Sequence, residues 1–148
     1  MWFIIFGLSF LVSLSAGCGS DFCVVSGKVT IDDLPAPGIT VLFSPKTEGV
    51  GHPAVGVTDD DGVYKLQTAS GKADGGTTQG KYVVTFSKLE STWDGRSYYT
   101  NTSTNEKEKD YRSHESLPQV YVSEKTTPFS ASVGKKENIF DFDLKSKP

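Results

Sequence analysis

A cysteine thiol stands at the end of an apolar N-terminal segment. The stretch from Met1 to Leu14 carries no charge, and Ser15-Ala16-Gly17 places three small residues directly before Cys18. An apolar run closed by small residues is typical of a secretory signal peptide and its cleavage zone. The run is shorter than the ~20 apolar residues that a membrane-spanning helix needs. Cleavage before Cys18 would expose its thiol at the new N-terminus, where it could be acylated.

This segment resembles the lipobox signals of bacterial lipoproteins, in which a cysteine receives a diacylglyceryl group. Ser15 occupies the position where leucine is usual, and no Lys or Arg precedes the apolar run. Each buried acyl methylene contributes about 0.8 kcal/mol, so two or three chains on one cysteine hold a protein at a membrane for a long time. The resemblance implies a signal peptide over residues 1–17, a lipidated tether over 18–22 and a membrane partner reached through Cys18. An uncleaved anchor helix and an unlipidated secreted protein are the alternatives.

The residue after the cysteine bears on the compartment. The lipobox resemblance implies an extracytoplasmic, membrane-anchored protein of the cell envelope. Gly19 stands where an aspartate is linked to inner-membrane retention in well-studied bacteria. We therefore expect the outer membrane rather than the inner one.

Three consecutive aspartates precede a glycine in the run Asp59-Asp60-Asp61-Gly62. Calcium takes six to eight oxygen ligands from alternating loop positions, so Asp59 and Asp61 are candidate ligands, although consecutive aspartates do not match that spacing. Asp and Gly also supply the side-chain bonds and the positive φ of a tight turn. We favour the turn and predict no metal or other cofactor.

Large aromatic side chains gather in a polar part of the chain, at Trp93, Tyr98 and Tyr99. Together they could form a platform on which sugar rings stack, as in carbohydrate-binding modules. They could equally pack this segment against the rest of the fold, which is the commoner use of large aromatics. The trio is the candidate ligand-contact site, and its partner would be a protein or a carbohydrate.

Composition narrows the class of protein. The net charge is −3 and the basic residues are scattered, which argues against a nucleic-acid partner. The two cysteines form no C-x-x-C pair, so no zinc site is indicated. Cys23, beside Val24 and Val25, is predicted to be a small buried side chain, and a disulfide with Cys18 is the alternative if Cys18 is not acylated.

The elements that must position these residues are strands. Beyond Asp21 apolar and polar residues alternate almost throughout, and no window shows the spacing of an amphipathic helix. Seven strands are predicted, and they carry these alternating residues in chain order: Val25, Gly27, Val29 and Ile31; Ile39, Val41 and Phe43; Val55 and Val57; Tyr64 and Leu66; Tyr82, Val84 and Phe86; Phe129, Ala131 and Val133; Phe140, Phe142 and Leu144.

Seven short alternating strands predict an all-β domain over residues 23–148, in which two antiparallel sheets pack as a Greek-key β-sandwich. Residues from about 89 to 117 lack a consistent period. The tract from Asn101 to Asp110 is polar and charged, so it cannot bury enough apolar area to fold alone. We predict a long polar surface loop there.

The spacing of glycines, prolines and apolar residues resembles the carboxypeptidase regulatory-like domain. The motifs that carry the resemblance are Val25-x-Gly27-x-Val29, Val41-x-Phe43-x-Pro45, Gly56-x-Thr58-Asp59-x-Asp61-Gly62-x-Tyr64-x-Leu66 and Gly80-x-Tyr82-x-Val84. The closing segment, from Leu117-Pro118-x-x-Tyr121 through Thr127-Pro128-Phe129 to Asn138-x-Phe140-x-Phe142-x-Leu144, is similar to that of small bacterial lipoproteins built on this domain. The resemblance covers nearly all of residues 23–145. It implies a transthyretin-like (prealbumin-like) sandwich and a non-catalytic module for folding support, adhesion or binding.

One enzyme class shares this fold. The transthyretin-related hydroxyisourate hydrolases use histidines and an arginine, with a terminal Tyr-Arg-Gly-Ser. This chain has Tyr111-Arg112-Ser113, internal and without the glycine, and the two histidines His52 and His114. We therefore predict no catalytic residues and keep a small hydrolase as the less favoured alternative.

Overall fold

The computed structural model of the chain describes residues 22–68, 76–135 and 137–148. The predicted signal peptide, Cys18 and the tether up to residue 21 lie outside the described residues. The described chain is nearly all β and confirms the predicted all-β sandwich. The seven-strand Greek-key topology is a finer statement and stays a prediction.

The described residues form fourteen strands and one short helix. In chain order the strands are β1 (Phe22–Cys23), β2 (Val25–Ile31), β3 (Leu34–Pro35), β4 (Thr40–Pro45), β5 (Ala54–Val57), β6 (Val63–Lys65), β7 (Gln67–Thr68), β8 (Thr77–Thr78), β9 (Gly80–Ser87), β10 (Leu89–Thr100), β11 (Lys107–Glu115), β12 (Ser130–Val133), β13 (Asn138–Ile139) and β14 (Phe142–Leu144). The helix α1 (Gln119–Val122) lies between β11 and β12 and buries Tyr121. Each of the seven predicted segments contains a strand.

The first sheet has the strand order β12-β9-β4-β5-β7, and all its neighbours are antiparallel. Its longest ladder joins β4 to β9, from Thr40 opposite Ser87 to Pro45 opposite Tyr82. Because side chains alternate between the faces of a strand, Val41 and Phe43 lie buried on the inner face of β4. This sheet supplies one layer of the sandwich.

The second sheet is built around β2. Strand β6 pairs with β2 in antiparallel fashion at Ser26–Lys28, and β3 pairs with its end across a tight turn. That turn places Asp32 and Asp33 at φ values of 50° and 66°, a left-handed conformation that aspartate tolerates better than most residues. A separate two-stranded pair, β1 with β8, joins Phe22–Cys23 to Thr77–Thr78.

The C-terminal strands correct the prediction of purely antiparallel sheets. β13 and β14 both run parallel to β2, with Asn138 opposite Val25 and Phe142 opposite Val29. β12 belongs to the first sheet and β13 to the second, so the connection at residues 134–137 crosses between sheets and is not a hairpin. A hairpin makes its strands antiparallel, whereas a crossing chain can enter in either direction. The alternation of apolar residues reports the buried face but carries no information on that direction.

The core lies between the two sheets and centres on Phe142. Its ring contacts those of Phe86, Phe129, Phe43 and Tyr64, with centroid separations from 5.2 to 6.4 Å. The predicted inward positions Leu66, Val84 and Leu144 are buried as well. Cys23 is buried, as its apolar neighbours predict. The C-terminal strand therefore closes the core as well as the second sheet.

The predicted long loop at residues 89–117 is wrong. Strands β10 and β11 form an antiparallel hairpin there, paired from Leu89 opposite Glu115 to Thr100 opposite Lys107. Neither strand pairs with either layer of the sandwich. Since neither face of the hairpin is covered, its sequence has no apolar period to reveal it. Backbone hydrogen bonds and cross-strand side-chain contacts stabilise the strand pair without an apolar face.

Candidate binding surface on the β10–β11 hairpin

The hairpin leaves the sandwich through a closed base. The N–H of Ser116 donates to the carbonyl of Lys88 at 2.9 Å, which joins the two chains where they emerge. The Glu115 carboxylate accepts hydrogen bonds from the Ser87 hydroxyl at 2.6 Å, the Lys88 N–H at 2.8 Å and the Leu117 N–H at 2.9 Å. Partial burial raises the pKa of Glu115, but these hydrogen bonds outweigh it and leave the pKa below its ordinary value. The base is thereby attached to β9 and to the buried Leu117.

A bulge interrupts β10 halfway along the hairpin. Residues 94–97 loop out between the pairs Trp93–Tyr111 and Tyr98–Lys109. The Asp94 carboxylate closes this loop, because it accepts bonds from the Arg96 N–H, the Ser97 N–H and the Ser97 hydroxyl at 2.6 to 2.8 Å. Hydrogen bonds from Ser97, and then from Arg96, lower the pKa of Asp94 to about 2. Gly95 has a φ of 80°, which favours glycine.

Trp93 anchors one face of the hairpin. Its indole N–H donates to the Ser97 carbonyl at 2.7 Å, so the ring is attached to the bulge. The Lys109 ammonium lies 4.4 Å from the centre of the Trp93 ring, a cation–π contact. The Tyr98 ring meets the indole edge to face at 5.4 Å. Trp93 is thus held from three sides and orders the side chains around it.

The two faces of the hairpin carry different chemistry. Paired residues share a face and successive residues alternate between faces. We call the first the basic face, and it presents Trp93, Tyr98, Lys107, Lys109 and Tyr111. The Ser91 and Ser113 hydroxyls, 3.1 Å apart, confirm that these alternating positions lie together.

The opposite side, which we call the acidic face, presents Glu90, Tyr99, Glu108, Asp110 and Arg112. The Tyr99 hydroxyl donates to the Glu108 carboxylate, which also accepts a bond from the Asn101 amide at 2.7 Å. The hydrogen bond to Glu108 raises the pKa of Tyr99, and the same bond lowers the pKa of Glu108. These contacts fix Tyr99 on the side away from Trp93.

The structure therefore divides the predicted aromatic trio. Trp93 and Tyr98 are in contact, but Tyr99 points to the other face, so the three do not form one platform. Tyr111 takes the third place, because it is paired with Trp93 across the hairpin. The sequence signal for Tyr111 is the alternation Lys107-x-Lys109-x-Tyr111-x-Ser113, which has this meaning only if these residues form a strand.

The acidic run Asp59–Asp61 forms the turn between β5 and β6. The Asp59 carboxylate accepts the N–H groups of Asp61 at 3.0 Å and Val63 at 2.8 Å, and Gly62 has a φ of 77°. The Asp59 oxygens thus serve the backbone of the turn. Across residues 22–68, 76–135 and 137–148, no group of three or more His, Cys, Asp or Glu side chains is placed to hold a metal ion.

The two histidines of the hydrolase alternative lie on separate elements, since only His114 shares β11 with Tyr111 and Arg112. The His52 ring lies 5.7 Å from that of Phe22, and the His52 carbonyl accepts a bond from the Thr77 hydroxyl on β8, just before β9. His114 lies on the hairpin opposite Glu90, beyond the far end of β9. The length of β9 separates the two histidines by roughly 20 Å. The structure does not bring them to one pocket.

The remaining predicted position, Cys18, lies outside the described residues. Within the part of the chain that the structure describes, no helix has the length and apolar character needed to span a membrane.

No family model matches the chain, and no curated protein matches it. Among solved structures, a 9R-lipoxygenase from Cyanothece PCC8801 aligns with 84% of this chain and 16% of its own length, at 13% identity and a TM-score of 0.37. A likeness of that size carries no argument about fold or activity.

Proposed function

We propose that this protein is a non-catalytic, lipid-anchored module of the bacterial cell envelope that binds a partner through the β10–β11 hairpin. Its anchor is the acylated Cys18, and its described domain stands outside the cytoplasm, at the outer membrane. The resemblance to carboxypeptidase regulatory-like, transthyretin-like domains supports a binding or structural role. The observation that carries the proposal is a hairpin that leaves the sandwich and keeps aromatic side chains exposed on both faces.

The exposure of these aromatics is the physical argument. Tyr98 is 52% exposed, Tyr99 48% and Tyr111 57%. Burying a tyrosine stabilises a fold, and tyrosines are enriched where proteins contact partners. A two-stranded hairpin is marginally stable by itself in water, so these side chains add little to the sandwich. A partner that covers them would recover the apolar area that the fold leaves open.

The hairpin is tested by its removal. The Lys88–Ser116 bond closes its base, so residues 90–114 can be replaced by Asn-Gly between the paired residues Leu89 and Glu115, which keeps the Glu115 hydrogen bond to Ser87 on β9. We expect the tagged full chain to recover specific envelope partners and the shortened chain to lose them while its thermal midpoint stays close to wild type. Alanine at Thr102, Ser103 and Thr104 is the control, because it alters the tip and keeps both faces. Equal recovery by the shortened chain would contradict the proposal.

The anchor has its own test. Intact-mass measurement on membrane-extracted protein should find a chain that begins at Cys18 and carries acyl chains. Cys18→Ser should move the protein to the soluble envelope fraction without changing its thermal midpoint. A membrane-bound chain that retains Met1 and a free thiol would contradict the lipid anchor and leave the hairpin proposal standing.

A carbohydrate-binding module is the second candidate function. The specific observation in its favour is that Tyr98 and Tyr111 stay exposed on the face that Trp93 orders. Binding of the chain to envelope glycans, with loss on Tyr111→Ser, would support it. Unchanged binding by that variant would exclude this face as the sugar site.

A further inference from the structure

We propose that the basic face of the hairpin binds an acidic polysaccharide, a chain of pyranose units that carry carboxylates. The inference rests on the proposed binding role of the hairpin and names the class of its ligand. It is carried by the combination of exposed tyrosines and lysines on one face of one element.

Charge is segregated across the hairpin. Lys107 and Lys109 lie on the basic face and are both exposed, two residues apart on the same strand. The acidic face holds Glu90, Glu108 and Asp110 together with Arg112, and the Lys88 ammonium at the base lies 3.6 Å from Glu90. Glu115, opposite Leu89, is the acidic residue at the base of the basic face. The whole chain carries a net charge of −3. A local positive face on a negative protein selects anionic partners and repels cationic ones.

The aromatic side chains on that face are already in place. Lys109 and Tyr98 contact the Trp93 ring, and the Trp93 indole is bonded to the bulge, so little side-chain freedom remains to be lost on binding. Tyr98 and Tyr111 keep about half of their surface open. The C–H face of a pyranose can stack on such rings, and the lysine ammoniums can pair with its carboxylates through charge-assisted hydrogen bonds.

Other anionic partners fit this surface less well. The tip from Asn101 to Glu106 reads Asn-Thr-Ser-Thr-Asn-Glu and has no apolar side chain that could enter a lipid interface. Duplex DNA carries about one negative charge per 1.7 Å of its axis, a higher density than one carboxylate per sugar unit, and two lysines would offset little of it. A second copy of the chain could contact the basic face through its own acidic face, and sedimentation distinguishes that dimer from polysaccharide binding.

The experiment measures binding of the full chain, in detergent, to immobilised polygalacturonate. Immobilised dextran, a neutral polysaccharide, is the control. We expect saturable binding to polygalacturonate that weakens as NaCl is added, and little binding to dextran. The double change Lys107→Gln with Lys109→Gln should weaken binding about fivefold, in line with two solvent-exposed ion pairs. Tyr111→Ser should weaken it by a similar factor. Arg112→Gln, which removes a positive charge from the acidic face, should leave binding unchanged or weaken it only slightly.

Several outcomes would overturn the inference. They are equal binding to dextran, binding insensitive to salt, an equal loss with Arg112→Gln, and full competition by an oligonucleotide or by phosphatidylglycerol vesicles. Sedimentation that shows wild-type dimers abolished by the lysine changes would assign the face to a second copy. The salt series on the wild-type chain keeps the test decisive if a variant misfolds. Recovery of hairpin-dependent envelope partners without polygalacturonate binding would refute this inference and keep the proposed function.

Discussion

The sandwich and the hairpin are both built from antiparallel strand pairs, yet they are stabilised in different ways. The sandwich strands bury Phe43, Phe86 and Phe142 between two layers. The hairpin strands have no buried side chain, and cross-strand contacts such as Trp93 with Lys109 and Tyr99 with Glu108 hold them. The comparison indicates that the buried side chains of the sandwich stabilise the fold, whereas the exposed side chains of the hairpin are available to contact a partner.

The largest effect separating the two regions should come from the aromatic core. Phe142→Ala removes the ring that joins β14 to four other aromatic side chains, and we expect a loss of about 3–5 kcal/mol in unfolding free energy. The matched change on the hairpin, Tyr111→Ala, should cost less than about 1 kcal/mol. Chemical denaturation of both variants measures the contrast. Comparable losses would mean that the hairpin is part of the cooperative core.

A buried polar link within the sandwich should have the next largest effect. The Thr58 hydroxyl accepts the Ile39 N–H at 2.8 Å and donates to the Ala36 carbonyl at 2.6 Å, all in buried surroundings. Thr58→Val leaves both groups unpaired and should cost about 1–3 kcal/mol by denaturation. Thr92→Val on the exposed hairpin is the control, and it should be neutral. A neutral Thr58→Val would show that water replaces the hydroxyl.

Acid should weaken the sandwich through Asp143 on its C-terminal strand. The Lys145 ammonium, followed by the Thr30 hydroxyl and the Asp33 N–H, lowers the pKa of Asp143 to about 2. Because the folded pKa lies below the ordinary value of about 4, the stabilisation is complete above pH ~4 and is lost as the pH falls towards ~2. Urea midpoints measured across this window should fall, and Asp143→Asn should flatten the fall. An equally steep fall in the variant would assign it to other carboxylates.

The smallest effect on global stability should come from the bulge. Asp94→Ala removes the three hydrogen bonds that close residues 94–97. We expect faster amide exchange in β10 and β11 and a weaker near-ultraviolet signal from Trp93, with little change in the unfolding midpoint. Asp60→Ala, in the exposed turn between β5 and β6, should leave hairpin exchange unchanged. Faster exchange throughout the sandwich would show that the two regions unfold together.

Much of the sandwich follows from its sequence. Period-two alternation locates all seven predicted segments, and in most of them the alternating residues face the core. In β5 they do not, because Ala54 and Gly56 are buried while Val57 is 60% exposed. The Asp-Gly turn after β5 follows from local backbone chemistry. The direction of β13 and β14 does not follow, since their pairing with β2 depends on a connection that crosses between layers. The seven-strand Greek-key arrangement likewise stays a prediction.

The candidate site could be predicted only in part. Trp93, Tyr98 and Tyr99 attract notice as large aromatics in a polar segment, but their faces depend on the bulge at residues 94–97. Residues 94–97 stand opposite the single residue Asp110, an excess of three, and this odd excess brings Trp93 and Tyr98 to one side while Tyr99 falls on the other. Tyr111 joins the surface only through the register of β11. No apolar period marks these strands, because the fold covers neither of their faces.

The sequence by itself determined the all-β class, the strands of the core and the apolar N-terminal segment that ends at Cys18, because each depends on residues close together in the chain. The tertiary structure alone decided that the C-terminal strand runs parallel to β2, that residues 89–115 form a hairpin and that its two faces differ in charge. Those features depend on which distant backbone groups pair with one another, and no local pattern of side chains encodes that choice.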